Sequence, residues 1–238
     1  MMNAKILSGS ALKIIAVVSM LCDHVAKFIL SSYRFAWKPL LIVSGTKINL
    51  YFLMTSLIGR IAFPLFAFLI VEGYFHTRDL KKYVLNLFVF GILTIVPWNL
   101  LRGGLLDFHS FNVLFTFLFG ILAIYGMDHF KGWKAFFCVA AALVLSYMMK
   151  TDYSIMGILL IILFHAFRNR REYQSLSLLA CLFRGKKVIG IPLAALSILL
   201  YNGKRGFIKG KAWKYAFYAF YPLHLLVIYL VREAVGIA

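Results

Sequence analysis

The chain has 238 residues, of which 63% are hydrophobic and 14% are charged, with 26 Lys and Arg against 8 Asp and Glu. A soluble domain has about 45–50% apolar and about 25% charged residues, so this composition excludes an ordinary soluble protein. Apolar runs near the ~20 residues that cross a bilayer recur from end to end, with no room between them for a soluble domain. The sequence therefore predicts one integral membrane domain over residues 1–238.

The apolar runs predict an all-α, polytopic transmembrane helical bundle of about eight or nine membrane-spanning helices, because a chain in lipid must satisfy its own backbone hydrogen bonds. The first run is too long for a signal peptide and has no small-residue cleavage site, so we expect it to remain as the first helix. In chain order the predicted spans are 12–32, 51–74, 83–101, 111–127, 134–149, 153–167, a broken region 175–201, and 213–232.

The broken region is the least regular part of the pattern. SLSLLACLF and VIGIPLAALSILLY flank the basic RGKK stretch, and both are short for a crossing. The region forms either two short helices or one re-entrant element. The basic stretch 204–214 that follows favours two short crossings, because it would then lie in the cytoplasm.

Basic residues between the runs predict the orientation. Assigned in alternation, one side holds eight of them and the other five, so the positive-inside rule puts the first side and the N-terminus in the cytoplasm. We attribute the net charge of +18 to this bias and to attraction to anionic lipid, and expect no nucleic acid partner. The two sets are Arg78, Lys81, Lys82, Lys131, Lys134, Arg168, Arg170 and Arg171, and Arg34, Lys38, Lys47, Arg102 and Lys150.

The stretch SMLCDHVAKF places Asp23 beside His24 inside the first run. An intramembrane charge costs at least ~2.5–3.5 kcal/mol, so Asp23 is expected to face the bundle interior and is a candidate functional residue. Neighbours on a helix point about 100° apart, so the two side chains should have different partners. For Asp23, the structural alternative is a buried ion pair that only fixes the helix register. For His24, it is a core histidine whose hydrogen bonds are made within the protein.

Arg60, in LIGRIAFPLF, is the only arginine deep in an apolar run. We therefore expect an Asp23–Arg60 or a Glu72–Arg60 interaction across the first two helices. Pro64 has no N–H, so the carbonyl of Arg60 loses its helical hydrogen bond and the helix should kink there. The pattern predicts a polar, kinked site.

Further polar side chains lie near the ends of later runs. Tyr218, Tyr221 and His224 fall on one face of the last run, where an interfacial aromatic belt is the alternative. Asn112 and Tyr153 either line a site or cap a helix. Walker A, HExxH and GxSxG motifs are absent, which disfavours ATPases and hydrolases. We expect no disulfide, because the cysteines are odd in number and lie in apolar segments: Cys22, Cys138 and Cys181. We expect no metal, because neither these cysteines nor the histidines near helix ends have the spacing of metal ligands: His76, His109, His129 and His165.

Five segments, in this order and spacing, resemble the TraX family over nearly the whole chain: LKIIAVVSMLCDHVAKF, GRIAFPLFAFLIVEG, FNVLFTFLFGIL, DYSIMGILLI and FYAFYPLHLL. The family's founding member acetylates the N-terminus of conjugative F-type pilin. The family is similar to a broader group of membrane-embedded acyltransferases that use coenzyme A and a histidine in the membrane. The matching positions are Asp23 and His24 in a DH motif, Arg60, Phe63 and Pro64 in GR-x-x-FP, and Tyr221 and His224 in a more variable YPLH segment.

The resemblance implies a bacterial inner-membrane enzyme that transfers an acetyl group from acetyl-CoA to an amine or hydroxyl. His24 is the predicted general base, because a neutral imidazole can take a proton from the acceptor. Asp23 orients a partner or holds a cation, and Arg60 anchors Asp23 or stabilises the oxyanion. The phosphates of coenzyme A are expected at Lys81, Lys82, Arg168 and Arg171, and the substrate pocket at Phe63, Glu72, Asn112, Tyr153, Tyr221 and His224.

Two other functional classes are compatible with the sequence. A small proton-coupled transporter would employ Asp23, Arg60 and His24 as a relay. A non-enzymatic assembly factor for a secreted or pilus system would depend on the loops instead. For the enzyme, the acceptor is a pilin or other peptide N-terminus, a sugar, or a lipid headgroup.

Overall fold

The computed structural model describes residues 5–43, 45–104, 110–183 and 189–237. This part of the chain is helical apart from loops and one short strand hairpin, which confirms the predicted all-α helical bundle. His109 and the RGKK stretch, about which the sequence made predictions, lie outside the described residues.

The structure resolves the predicted spans into helices with defined ends. A 3₁₀ turn, Leu30–Ser32, follows α1, and a π segment, Leu53–Ile58, and a 3₁₀ turn, Gly59–Ile61, join α3 to α4. The elements are α1 Gly9–Phe28, α2 Arg34–Trp37, β1 Leu41–Val43, β2 Thr46–Ile48, α3 Leu50–Phe52, α4 Ala62–His76, α5 Leu80–Leu101, α6 Val113–His129, α7 Trp133–Met148, α8 Ser154–Ala166, α9 Arg171–Leu182, α10 Gly190–Leu199 and α11 Lys211–Ala234.

The lengths of these helices fit a membrane protein. Among the described residues, four helical stretches are long and apolar enough to cross a bilayer: Gly9–Ser32, Leu50–His76, Leu80–Leu101 and Lys211–Ala234. The helices α6, α7, α8 and α10 are apolar but shorter. The β1–β2 hairpin, in which Leu41 pairs with Ile48, had no counterpart in the sequence prediction.

Consecutive long helices run in opposite directions, which gives the bundle two ends. We call the end that holds the start of α1 the N-terminal end and the opposite one the distal end. At the distal end, Asp23 near the end of α1 packs on Gly59. Arg232, near the end of α11, lies there too, because its guanidinium donates to the carbonyl of Leu101 at 2.9 Å.

The described residues of the broken region form two short helices, α9 and α10, and whether these cross the membrane stays a prediction. The chain leaves α10 beside the start of α1, where Leu7 and Tyr201 form an isolated parallel β-bridge. The backbone N–H of Gly9 then donates to the carbonyl of Lys204 at 2.8 Å. The basic stretch 204–214 therefore begins at the N-terminal end, together with the loops that carry the predicted cytoplasmic charges.

The predicted break near Arg60 is present as a change of helix type. The chain passes from the π segment to a 3₁₀ turn that contains Arg60, and only then enters α4, whose third residue is Pro64. A π segment makes the backbone hydrogen bonding irregular and is frequently found at functional sites. The second long span is therefore irregular where the sequence predicted a polar, kinked site.

Gly190 determines how closely α10 approaches this irregular segment. A Cβ atom at position 190 would overlap the carbonyl oxygen of Leu57 and come within 3.2 Å of the Arg60 side chain. Backbone cannot give way as a flexible side chain does, and overpacking typically costs about 1–3 kcal/mol. The first turn of α10 thus requires a glycine.

We expect Gly190→Ala to lower the unfolding free energy by about 2 kcal/mol, because α10 must shift away from Leu57. Ser197→Ala is the matched control, since the exposed Ser197 hydroxyl bonds only within its own helix. Thermal unfolding of both variants in the same detergent gives the comparison. Equal melting temperatures for the two variants would contradict the close packing at Gly190.

Candidate active site

A cavity of about 480 Å³ lies at the distal end, between α1, the 3₁₀ turn that contains Arg60, and helices α4, α5, α6, α8 and α11. Its polar lining consists of Asp23, His24, Lys27, Arg60, Arg102 and Asp152, and its aromatic lining of Phe28, Phe63, Phe66, Trp98, Phe117, Tyr153 and Tyr221. The structure therefore brings six of the predicted site residues, from four separate segments of the chain, to one cavity: Asp23, His24, Arg60, Phe63, Tyr153 and Tyr221.

Asp23 is held by its own helix and by a glycine. Its Oδ2 accepts from the Lys27 ammonium, one turn along α1, at 2.5 Å. Its Oδ1 is buried and has no hydrogen-bond partner among the described residues. A Cβ at Gly59 would lie 2.6 Å from this oxygen, so the absence of a side chain at 59 lets the carboxylate fit.

The expected pairing of Arg60 with Asp23 or Glu72 is wrong. Among the described ion pairs, Asp23 is bound to Lys27 instead, and Glu72 lies three turns along α4 from Arg60, far beyond contact. The guanidinium of Arg60 faces the Tyr153 hydroxyl. Its Nε is buried without a hydrogen-bond partner in the described part of the chain.

Tyr153 connects Arg60 to the aromatic wall of the cavity. Its ring stacks on that of Phe63 with centroids 3.6 Å apart and an interplanar angle of 6°. Asp152 precedes it in the turn between α7 and α8. Burial raises the pKa of the Asp152 carboxyl, whereas the positive charges of Lys27, Arg102 and Arg60 act in the opposite direction.

His24 lies against a second buried histidine. Its Nδ1 is 2.7 Å from Nε2 of His224, and the two rings are nearly parallel, with centroids 5.0 Å apart. The side chains of Phe28, Trp98 and Tyr221 surround the His24 ring at centroid distances of 6.0 to 6.3 Å. Both histidines are over 90% buried, but only His24 is part of the cavity wall.

A family model described as TraX protein matches residues 8–232. This chain belongs to the TraX family. It is also similar to a relative from Dichelobacter nodosus named "Probable fimbrial assembly protein FimC, serogroup H1", with 27% identity over 248 aligned positions that cover 93% of this chain and 94% of the relative. No solved structure matches the chain.

The remaining predicted residues of this TraX-family protein do not line the cavity, although His224 contacts His24 from behind. Glu72 is at the N-terminal end, where both guanidinium Nη atoms of Arg171 donate to its Oε1 at 3.1 and 3.2 Å. Its Oε2 accepts from the hydroxyl of Tyr201 at 3.3 Å. Arg171 also donates to Gln174 at 2.8 Å, so its donors are committed to protein groups.

The other basic residues predicted to bind coenzyme A are also at the N-terminal end. Lys81 and Lys82 open α5, after the loop that follows α4. Arg168 follows α8, and its guanidinium lies 3.6 Å from the ring centroid of Phe75. These side chains lie at the same end of the bundle as the start of α1, whereas His24 lies near the other end of α1.

Asn112 is a helix cap rather than a pocket residue. It is fully buried, and its Oδ1 accepts from the backbone N–H of Leu114 at 3.1 Å. Its Nδ2 donates to the carbonyl of Gly91 in α5 at 2.8 Å. Both polar atoms of its side chain therefore bond to the protein backbone. Of the two roles that the sequence left open for Asn112, the structure shows the helix cap.

The sequence predictions missed several cavity residues. Lys27 was indicated by its i, i+4 spacing from Asp23, which places the two on one helix face. Trp98, Arg102 and Asp152 carried no signal, because each lies near the end of an apolar run, where such residues are common. In the described part of the chain no group of three or more His, Cys, Asp or Glu side chains is placed to hold a metal ion.

We expect Glu72→Ala to lower the unfolding free energy by about 3 kcal/mol, because it leaves the Arg171 guanidinium without its carboxylate in a largely enclosed site. Glu233→Ala is the control, since the Glu233 side chain is 53% exposed and lies 4.0 Å from Arg232. Unfolding in mixed micelles measures both. A stable Glu72→Ala protein with impaired substrate binding would instead support the pocket role predicted for Glu72.

Proposed function

We propose that this TraX-family protein is a membrane-embedded acyltransferase that moves an acetyl group from acetyl-CoA to an amine or hydroxyl of an acceptor. The observation that carries the proposal is the position of His24, a buried histidine in the wall of a cavity that also contains Arg60 and Tyr153. A base, a fixed cation and a hydroxyl around one cavity are groups that can catalyse acyl transfer.

His24 acts as the general base in this proposal. For an amine acceptor, its free ring nitrogen takes the proton as the nitrogen of the acceptor attacks the thioester carbonyl. An N–C bond forms, the C–S bond breaks, and the same proton then passes from His24 to the thiolate of coenzyme A. The products are the acetamide and free coenzyme A, so His24 returns to its starting state.

Arg60 and Tyr153 are the proposed oxyanion stabilisers. The Arg60 guanidinium carries a permanent charge, and the buried Nε without a partner leaves one donor for a ligand. Of the two roles expected for Asp23, we propose the holding of a cation, because its ion pair with Lys27 fixes the end of α1 next to Gly59. We assign Asp23 to holding Lys27 at the cavity and not to contact with Arg60.

The donor is proposed to enter from the N-terminal end. Lys81, Lys82 and Arg168 are available there for the phosphates of coenzyme A, and the pantetheine arm would run between the helices toward His24. From the positive-inside rule we place this end in the cytoplasm, where acetyl-CoA is present, and we propose that the protein lies in the bacterial cytoplasmic membrane. The acceptor would then reach the cavity from the opposite face.

A peptide N-terminus is the proposed acceptor class. The name of the Dichelobacter relative refers to fimbrial assembly, and the resemblance to the TraX family implies acetylation of a pilin N-terminus. The aromatic wall around His24 suits an apolar first residue of such a peptide. A pilin subunit held in the membrane would present this group at the depth of the cavity.

The first test measures acetyl-CoA turnover by purified protein in nanodiscs, with a pilin-like peptide bearing a free N-terminus as acceptor. We expect His24→Gln to lower kcat by at least about 100-fold, since general base catalysis contributes about 10²–10⁴-fold. His129→Gln is the control, because His129 lies exposed at the end of α6 and is expected to have no effect.

Two results would argue against the enzyme. Equal turnover by His24→Gln and the wild type would remove His24 as the base. Wild-type protein that consumes no acetyl-CoA, but supports pH-driven substrate flux in liposomes, would favour the transporter that the same residues could build.

The site of the donor phosphates gives a second test. We expect the double change Lys81→Glu and Lys82→Glu to raise KM for acetyl-CoA about tenfold at unchanged kcat, because one charge-assisted contact contributes about 1.5 kcal/mol. Lys131→Glu with Lys134→Glu is the control at the same end. An unchanged KM in the first variant, with a raised KM in Arg102→Glu, would place the donor at the distal end instead.

A further inference from the structure

The contacts of His224 determine which of its nitrogens carries the hydrogen. Its Nδ1 lies 2.8 Å from the backbone carbonyl oxygen of Phe220. A carbonyl oxygen only accepts, so Nδ1 must be the donor. A neutral imidazole has one donor and one acceptor nitrogen, which makes Nε2 of His224 an acceptor.

The contact with His224 also determines which nitrogen of His24 carries the hydrogen. Its Nδ1 faces that acceptor at 2.7 Å, so Nδ1 of His24 carries a hydrogen and donates it. The neutral His24 ring therefore keeps its lone pair on Nε2. This nitrogen makes no hydrogen bond in the described part of the chain and belongs to a side chain that lines the cavity.

Packing holds His224 in the orientation that this chain of bonds needs. The ring of Phe220 stacks on that of His224 with centroids 4.9 Å apart and an interplanar angle of 7°. His224 and Tyr221 lie on the same turn of α11, and both are buried. A rotated His224 ring would lose the bond to Phe220 and present the wrong nitrogen to His24.

We propose that His224 is a positioning residue that fixes the tautomer and the ring orientation of His24, so that the Nε2 lone pair points at the acceptor. This inference rests on the proposed function, in which His24 is the base. In this role His224 acts through His24 and does not contact the substrate. This differs from the substrate contact that the YPLH resemblance implied.

His224 also stabilises the charge that the reaction creates. When Nε2 of His24 takes the proton of the attacking amine, His24 becomes an imidazolium and its Nδ1–H becomes a stronger donor to His224. The carbonyl of Phe220 cannot take up a proton, so the proton has no exit through His224. It must leave through Nε2 of His24 to the coenzyme A thiolate, which completes the transfer.

Two substitutions separate positioning from packing. His224→Phe keeps an aromatic ring against Phe220 and His24 but removes the acceptor. His224→Gln replaces the acceptor nitrogen by an amide oxygen. We expect His224→Phe to lower kcat about 100-fold with both KM values unchanged, and His224→Gln to retain activity within about tenfold of the wild type.

A spectroscopic measurement reports the tautomer without relying on turnover. Protein labelled with ¹⁵N-histidine in nanodiscs, with the His24→Gln variant to assign the signals, should show a protonated Nδ1 and an unprotonated Nε2 for His24. In His224→Phe the His24 signals should shift toward the other tautomer. Thermal unfolding of each variant identifies loss of fold.

Each outcome decides the inference. The inference would be overturned if folded His224→Phe had the wild-type kcat, or if folded His224→Gln and His224→Phe lost kcat equally. It would also be overturned if His24 of the wild type were protonated on Nε2. If the variants do not fold, the wild-type spectrum alone decides. Absence of acetyl-CoA turnover in the wild type would defeat the proposed function, whereas the spectrum would still establish or refute the tautomer.

Discussion

The contact between Asp23 and Gly59 is the constraint on which the cavity depends. The carboxylate fits only because residue 59 has no side chain, and this close approach sets the distance between α1 and the start of α4. Arg60 follows Gly59 directly, and His24 follows Asp23, so one contact places both side chains at the same depth. The 100° offset between neighbours on a helix then turns His24 away from the Asp23–Lys27 pair and toward α11, where His224 receives it.

The polar groups of the bundle form two separate sets, one at each end. At the N-terminal end, Glu72 binds Arg171 and Tyr201 and ties α4 to α9 and to the segment after α10. At the distal end, the groups are only partly satisfied, since Asp23 Oδ1 and Arg60 Nε have no hydrogen-bond partner among the described residues. A satisfied network stabilises a fold, whereas unused donors and acceptors around a cavity are what a ligand would bind.

The sequence predicted most of the fold and the centre of the site, for a physical reason. Lipid makes charge expensive, so Asp23, His24 and Arg60 stood out in apolar runs, and all three line the cavity. Partners were harder to predict, because a helical pattern gives depth but not rotation relative to other helices. Arg60 was therefore assigned to Asp23 and Glu72, when Lys27 and Arg171 take those carboxylates. Residues at the ends of runs, such as Asp152 and Arg102, carry charge so commonly that no pattern singles them out.

The short helices beside Arg60 have a consequence for the membrane itself. Helices α9 and α10 have 12 and 10 residues, or ~18 and ~15 Å, against a hydrocarbon thickness of ~30 Å. A bilayer meets such a hydrophobic mismatch by thinning locally. Because Gly190 packs α10 against the π segment, the thinnest lipid would adjoin the helix break. The distance that separates the aqueous phases would then be shortened beside the turn that contains Arg60, which would leave a flexible thioester arm less hydrocarbon to cross there.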